Sequence, residues 1–146
     1  MNEYARSTVA SRRGGVACSV ILLALGLGST SVASATPQSF NYHGTPLLTG
    51  GVSEEERESM RRDLSPYNVW LAFVERDTGN YVTGVKVAVV DSKENAVVDT
   101  VSDGPWLLAQ LPPGQYKVRT ADGQELTITA AAGAPAMTVL RLPRQR

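Results

Sequence analysis

The chain is expected to fold as an all-β sandwich of seven strands preceded by one short N-terminal helix. Three observations predict this. From Tyr67 onward, apolar residues recur with period two in short runs. Clusters of Gly, Asn, Asp, Ser and Pro separate those runs at regular spacing. The segment Leu111-Pro112-Pro113-Gly114-Gln115-Tyr116-Lys117-Val118 reads as a rigid turn feeding a half-buried strand.

The first 35 residues are expected to stand apart from the folded domain. Arg6, Arg12 and Arg13 make a basic start, Val16 to Leu27 is an apolar run of 12 residues, and Ala33 and Ala35 give a small-x-small pattern. That three-part layout reads as a secretory signal peptide over 1–35, cleaved after Ala35, with the Ala33-Ser34 bond as second choice. The apolar run falls short of the ~20 residues of a spanning helix, so no stable membrane anchor is expected after cleavage. Ser11-Arg12-Arg13 hints at twin-arginine export, but Gly14 and Gly15 follow it, and general secretion is favoured. Cys18, the sole cysteine, precedes most of the apolar run, where a lipoprotein cysteine would follow it. The remaining chain is expected to be periplasmic or secreted, without a disulfide, thiolate metal site or cysteine nucleophile. It holds 11 Lys and Arg against 13 Asp and Glu, and shows no basic face suited to nucleic acid.

Residues 36–52, rich in Thr, Pro, Gly and Ser, read as a flexible leader carrying His43. A short helix is expected within 53–64. Ser53 and Glu56 form a capping box, Glu54, Glu55 and Glu56 suit the positive end of the helix dipole, and Arg61 and Arg62 suit the other. Ser65-Pro66 ends it. The sandwich is expected over 67–142. In its first strand Tyr67, Val69, Leu71 and Phe73 share one face and Asn68, Trp70, Ala72 and Val74 the other. A short strand is expected at Tyr81 to Thr83. Val85 to Val90 and Ala96 to Val101 read as a hairpin, and Trp106 to Leu111 as a further strand. Asp122-Gly123 is a strong hairpin cue, so Gln115 to Thr120 should pair with Glu125 to Ala130. Met137 to Leu142 is the last strand.

Pro113-Gly114 suits the centre of a type II turn, with proline presetting the first φ and glycine taking the positive second one. Tyr116 and Val118 then share one face and Lys117 and Arg119 the other. Tyr116 is expected in the core with its hydroxyl finding a partner at the domain edge. At Val85 to Val89, Asp91, Trp106 to Leu108 and Leu111 to Val118 the chain resembles the carboxypeptidase regulatory-like domains, a group of prealbumin-like (transthyretin-like) β-sandwiches. The resemblance covers about Tyr67 to Leu142. It implies that Trp106 and Leu108 point inward, and it marks Pro113, Gly114, Tyr116 and Val118 as structural. Gly50 to Asp63 lies outside the shared pattern, although small exported bacterial proteins with a helix before the sandwich are similar. Purine-pathway hydrolysis, found in some transthyretin-like proteins, is rejected: that pattern has several histidines and ends Tyr-Arg-Gly-Ser, whereas this chain has one histidine and ends Leu142-Pro143-Arg144-Gln145-Arg146.

No catalytic residue, metal ligand or cofactor is assigned. His43 has no second histidine to work with, the aspartates occupy turns where they cap backbone N–H groups, and Ser102 lacks a Gly-x-Ser-x-Gly setting. Trp70, Met60 and Tyr81 are the binding candidates. An outward Trp70 could stack on a sugar or anchor a partner, but the preferred reading places the helix over it through Met60 and Leu64. The expected function is a non-enzymatic exported module that binds an envelope protein or a glycan. The alternatives are a small metal-dependent or His43-dependent hydrolase, which requires His43 beside two or more carboxylates, and a carbohydrate-binding module using Trp70.

Overall fold

The computed structural model describes residues 36–144; the expected signal peptide lies outside them. The described residues form nine strands, two more than expected, and one helix. The strands are β1 (Gln38–Tyr42), β2 (Thr45–Gly50), β3 (Val69–Glu75), β4 (Val85–Val90), β5 (Ala96–Ser102), β6 (Trp106–Ala109), β7 (Gly114–Thr120), β8 (Glu125–Ala130) and β9 (Met137–Leu142), with helix α1 (Glu54–Arg62) between β2 and β3. One sheet has the order β1-β2-β6-β3-β9 and the other β5-β4-β7-β8. All neighbours are antiparallel except β3 and β9. The seven strands from β3 onward correspond to the expected ones, and the two expected hairpins, β4–β5 and β7–β8, both form.

The extra pair corrects the leader. Residues 38–50 form a hairpin whose two-residue turn is His43-Gly44, with Tyr42 opposite Thr45. Both turn residues have positive φ, 46° and 88°, the type I′ pattern whose twist matches that of the strands. Phe40 and Tyr42 alternate toward the main core, and Leu47 is fully buried in it. β2 then pairs with β6, so the hairpin extends the sheet. The expected strand at Tyr81 to Thr83 is reduced to one bridge between Val74 and Tyr81.

The main core lies between the sheets. Val69, Leu71 and Phe73 of β3, with Leu107 and Leu140, face Val87, Val89, Tyr116 and Val118. A second cluster lies on the outer face of the five-stranded sheet, where Leu48, Ala72, Trp106 and Leu108 meet Met60 of the helix. This corrects the inward placement of Trp106 and Leu108. Their neighbours Leu107 and Ala109 enter the main core instead. All four residues of β6 are buried, so alternation of hydrophobicity cannot tell its two faces apart. Register decides. Trp106 stands opposite Gly50 on one side and Ala72 on the other, and these two small partners leave room for the indole.

The helix is bound to the end of β2 by its first turn. Ser53 Oγ accepts from Glu56 N–H at 3.1 Å, and the buried Glu56 carboxylate accepts from Val52 N–H at 2.8 Å and from Ser53 N–H at 3.5 Å. Arg57 donates to the Gly51 carbonyl at 2.8 Å and pairs with Glu54 at 2.6 Å. Along the helix Glu58 pairs with Arg61 at 3.5 Å.

The turn at Pro113-Gly114 also differs from expectation. Gly114 has φ 157°, far from the roughly +80° of a type II turn, and opens β7 opposite Ala130. Elsewhere the turns behave as their residues suggest. Asp91 accepts from the N–H groups of Lys93 at 2.8 Å and Asn95 at 2.9 Å. The Asn95 N–H is the main cause that holds the Asp91 carboxyl below its ordinary range.

Gly104 sits where two backbones cross. A Cβ there would stand 2.6 Å from Gly50 Cα and closer still to the Gly50 carbonyl. No side-chain rotation can relieve a clash with backbone. Gly104→Ala is therefore expected to destabilise the fold by about 2–4 kcal/mol in denaturant unfolding. Gly123→Ala, in open space at φ 86°, should cost only about 1 kcal/mol.

Candidate functional site

Two places hold the residues of interest: the aromatic cluster under the helix and a groove at the end of the sandwich that carries His43.

In the aromatic cluster, Trp106 is the centre. Trp70 lies edge-on to it with ring centroids 4.9 Å apart, and Tyr81 approaches at 6.4 Å. Arg61 lies over the Trp106 ring and Arg57 over the Tyr81 ring, each at 5.1 Å. Such contacts contribute about 0.5–2 kcal/mol each. The helix thus grips the sheet by a buried thioether and by two guanidinium groups on aromatic faces. Met60 has no exposed surface, so it is a core residue and not a ligand contact. Trp70 is half-buried, packed against the cluster with Leu64 and Tyr67, and its indole N–H is buried without a hydrogen bond. Tyr81 keeps about half its surface exposed but is overlaid by Arg57.

The groove has a volume of about 760 Å³. One side comes from the β1–β2 turn with His43, Thr45 and Pro46, another from Ser65-Pro66-Tyr67-Asn68 ahead of β3, and a third from Gln110-Leu111-Pro112-Pro113. These walls are tied to one another. Gln110 N–H donates to the Pro46 carbonyl at 3.0 Å and Asn68 N–H to that of Ala109 at 3.1 Å. The Asn68 side chain imitates a strand partner, donating to Leu111 O at 2.6 Å and accepting from Leu111 N–H at 2.9 Å. Tyr116 Oη donates to the Pro112 carbonyl at 2.6 Å, which is the edge partner expected for it. Tyr116 and Val118 point into the main core, and Pro113 is exposed on the rim. Leu111 to Pro113 thus form a wall of the groove, and Tyr116 and Val118 anchor the same segment in the core.

His43 is exposed and stands edge-on to Tyr42, 4.5 Å between centroids. The groove it borders contains no Asp or Glu, which is the company a His43-dependent hydrolase requires. Among the described residues no group of three or more His, Cys, Asp or Glu could hold a metal ion. Ser102 is fully buried and its Oγ donates to the Gly104 carbonyl at 2.7 Å, so it serves the backbone crossing. Burial, and then the nearby Asp63 carboxylate, raise the Tyr67 hydroxyl above the ordinary tyrosine range. It remains a proton donor at neutral pH.

Sequence reasoning missed Asn68 and the His43-Gly44 turn. The turn had a signal, a two-residue Gly-containing break between Phe40-Asn41-Tyr42 and Thr45-Pro46-Leu47. Asn68 had none, because its partner lies 43 residues away. Among the described residues no helix is long and apolar enough to cross a membrane. Comparisons with protein-family models, curated proteins and solved structures found no match to this chain.

The cross-link at Asn68 should be measurable. Asn68→Ala strands the N–H and C=O of Leu111 and is expected to cost about 2–4 kcal/mol in chemical denaturation. Tyr116→Phe removes one hydrogen bond and should cost about 1 kcal/mol.

Proposed function

We propose that this chain is a non-enzymatic binding module, exported to the periplasm or beyond, that takes up an extended segment of an envelope protein along β9. The observation that carries this reading is the edge of β9, which pairs only with β3 among the described residues. Arg76 N–H bonds to the Leu142 carbonyl, so the backbone groups of Leu142, Leu140 and Thr138 turn toward β3. Those of Met137, Val139 and Arg141 turn outward, because successive residues of a strand point their polar groups to opposite sides. Gln124 Nε2 caps the Arg141 carbonyl at 2.7 Å. Met137 and Val139 keep 45% and 39% of their surface exposed, on the same sheet face as Trp70 and Ala72.

The other edges carry devices that discourage pairing. β1 is largely polar, Gln-Ser-Phe-Asn-Tyr. β5 has Asp99 and an irregular register against β4 at Val89/Val90. β8 begins with Glu125, which pairs with Arg119 at 2.8 Å. β9 carries one charge, Arg141 near its end, and between Met137 and Leu140 it has no charged residue and no proline. Unprotected edges accept a partner strand, with backbone bonds giving affinity and alternate side chains giving selectivity. The partner segment is expected to place apolar residues beside Met137 and Val139.

The sandwich is read as prealbumin-like, of the carboxypeptidase regulatory-like kind, on the strength of Leu111 to Val118 and the seven strands β3–β9. In that reading β1, β2 and α1 are additions in front, and no chemistry comes with the domain.

In the isolated protein the amides of Met137 and Val139 should exchange with solvent faster than those of Thr138, Leu140 and Leu142. In cells, a photo-crosslinker at Met137 should trap one reproducible envelope partner. Val139→Lys should reduce that capture about tenfold with Tm unchanged. Capture that survives Val139→Lys, or slow exchange at both outward amides, would refute the edge as the binding surface.

A further inference from the structure

We propose that the groove beside His43 is a binding site for a neutral oligosaccharide. It shares no residue with the β9 edge, so it stands or falls independently of strand uptake there.

The groove is preformed. Its walls are joined by the Gln110–Pro46 bond, the paired Asn68–Leu111 bonds and the Tyr116–Pro112 bond. A ligand entering it orders little further chain, which keeps the entropic cost of binding low. Its volume of about 760 Å³ lies within the roughly 300–1,000 Å³ usual for small-molecule sites.

The lining selects against charge. It contains no Asp, Glu, Lys or Arg, although about a fifth of the whole chain is charged. An ionic group entering would lose hydration and meet no counter-charge. An uncharged ligand avoids that cost.

The lining also separates a sugar from a peptide. Pro46, Pro66, Pro112 and Pro113 lie along its walls, and proline has no N–H. A backbone ladder with an extended peptide therefore lacks donors at these four positions. The polar side chains that remain include the hydroxyls of Thr45, Ser65 and Tyr67, the His43 imidazole and the Gln110 carboxamide. Each presents both a donor and an acceptor, as sugar hydroxyls do. The Tyr67 and His43 rings and the rigid proline rims offer C–H and ring surfaces for the apolar faces of pyranose rings.

The test is titration of the protein with cellohexaose, maltohexaose and chitohexaose, followed by amide chemical shifts. At least one should give saturable shifts centred on His43 to Thr45, Tyr67 to Asn68 and Gln110 to Leu111. The affinity should change little between low and high salt, since a neutral sugar brings no charge and the lining holds no Asp, Glu, Lys or Arg. The double variant His43→Asn/Gln110→Ala changes two exposed residues, and asparagine tolerates the positive φ of the turn. It should weaken binding about tenfold without altering Tm. The proposal is overturned by the absence of saturable shifts with all three probes at about 10 mM, or by shifts centred elsewhere. It is equally overturned by a salt-sensitive preference for oligogalacturonate, or by a proline-rich decapeptide that binds the groove in place of the sugars.

Discussion

The structure depends on one constraint: the central strand β6 is buried on both faces. Leu107 and Ala109 complete the core between the sheets, and Trp106 and Leu108 rise from the opposite face. A two-sheet sandwich covers only one of those faces. The other needs a separate cover, and α1 supplies it. Met60 alone, fully buried, contributes about 1.5–3 kcal/mol of apolar burial. The helix has only Met60 as an apolar residue within its nine, so guanidinium contacts to Trp106 and Tyr81 supply much of the remaining contact.

That arrangement explains why the chain before the sandwich is so closely specified. The helix lies at the right place only if β2 ends beside Trp106. Glu56 and Arg57 fasten the first turn of the helix to Gly51 and Val52, and the crossing of Gly50 with Gly104 brings that junction against the start of β6. Ser102, buried and bonded to Gly104, holds the other side of the crossing. The β1–β2 hairpin, the helix and the turn before β6 therefore form one mechanical unit on the outer face. The same hairpin places His43 and Pro46 at the far end of β2, against Gln110, where the groove begins.

Two kinds of surface follow from this packing. The helix covers the middle of the outer sheet face and leaves its margin at Met137 and Val139 bare. The hairpin and the segment Leu111 to Pro113 enclose a charge-free groove. Met60 and Tyr81, which attract attention in the sequence, take part in neither surface, and Trp70 only adjoins the β9 margin through its neighbour Met137. Large apolar residues in a sequence mark burial more often than binding, and these three mostly hold the helix down.

Local pattern was enough for most of the sandwich. Period-two alternation put Val69, Leu71 and Phe73 on one face, Asp122-Gly123 located the β7–β8 hairpin, and Ser53 with Glu56 located the start of the helix; each signal lies within a short stretch of chain. The resemblance misled at β6, where burial on both faces leaves no alternation to check the facing of Trp106 and Leu108, and composition misled over 36–52, where Thr, Pro and Gly sit in a hairpin and not in a mobile segment. The groove and the β9 edge belong to tertiary structure alone. Asn68 meets Leu111 across 43 residues, and the open side of β9 exists only because β3 takes the other side. The sequence by itself determined which residues seek burial and where the chain turns. The tertiary structure decided which strand lies at an edge and which loops share a groove, because those depend on pairings between residues far apart in the chain.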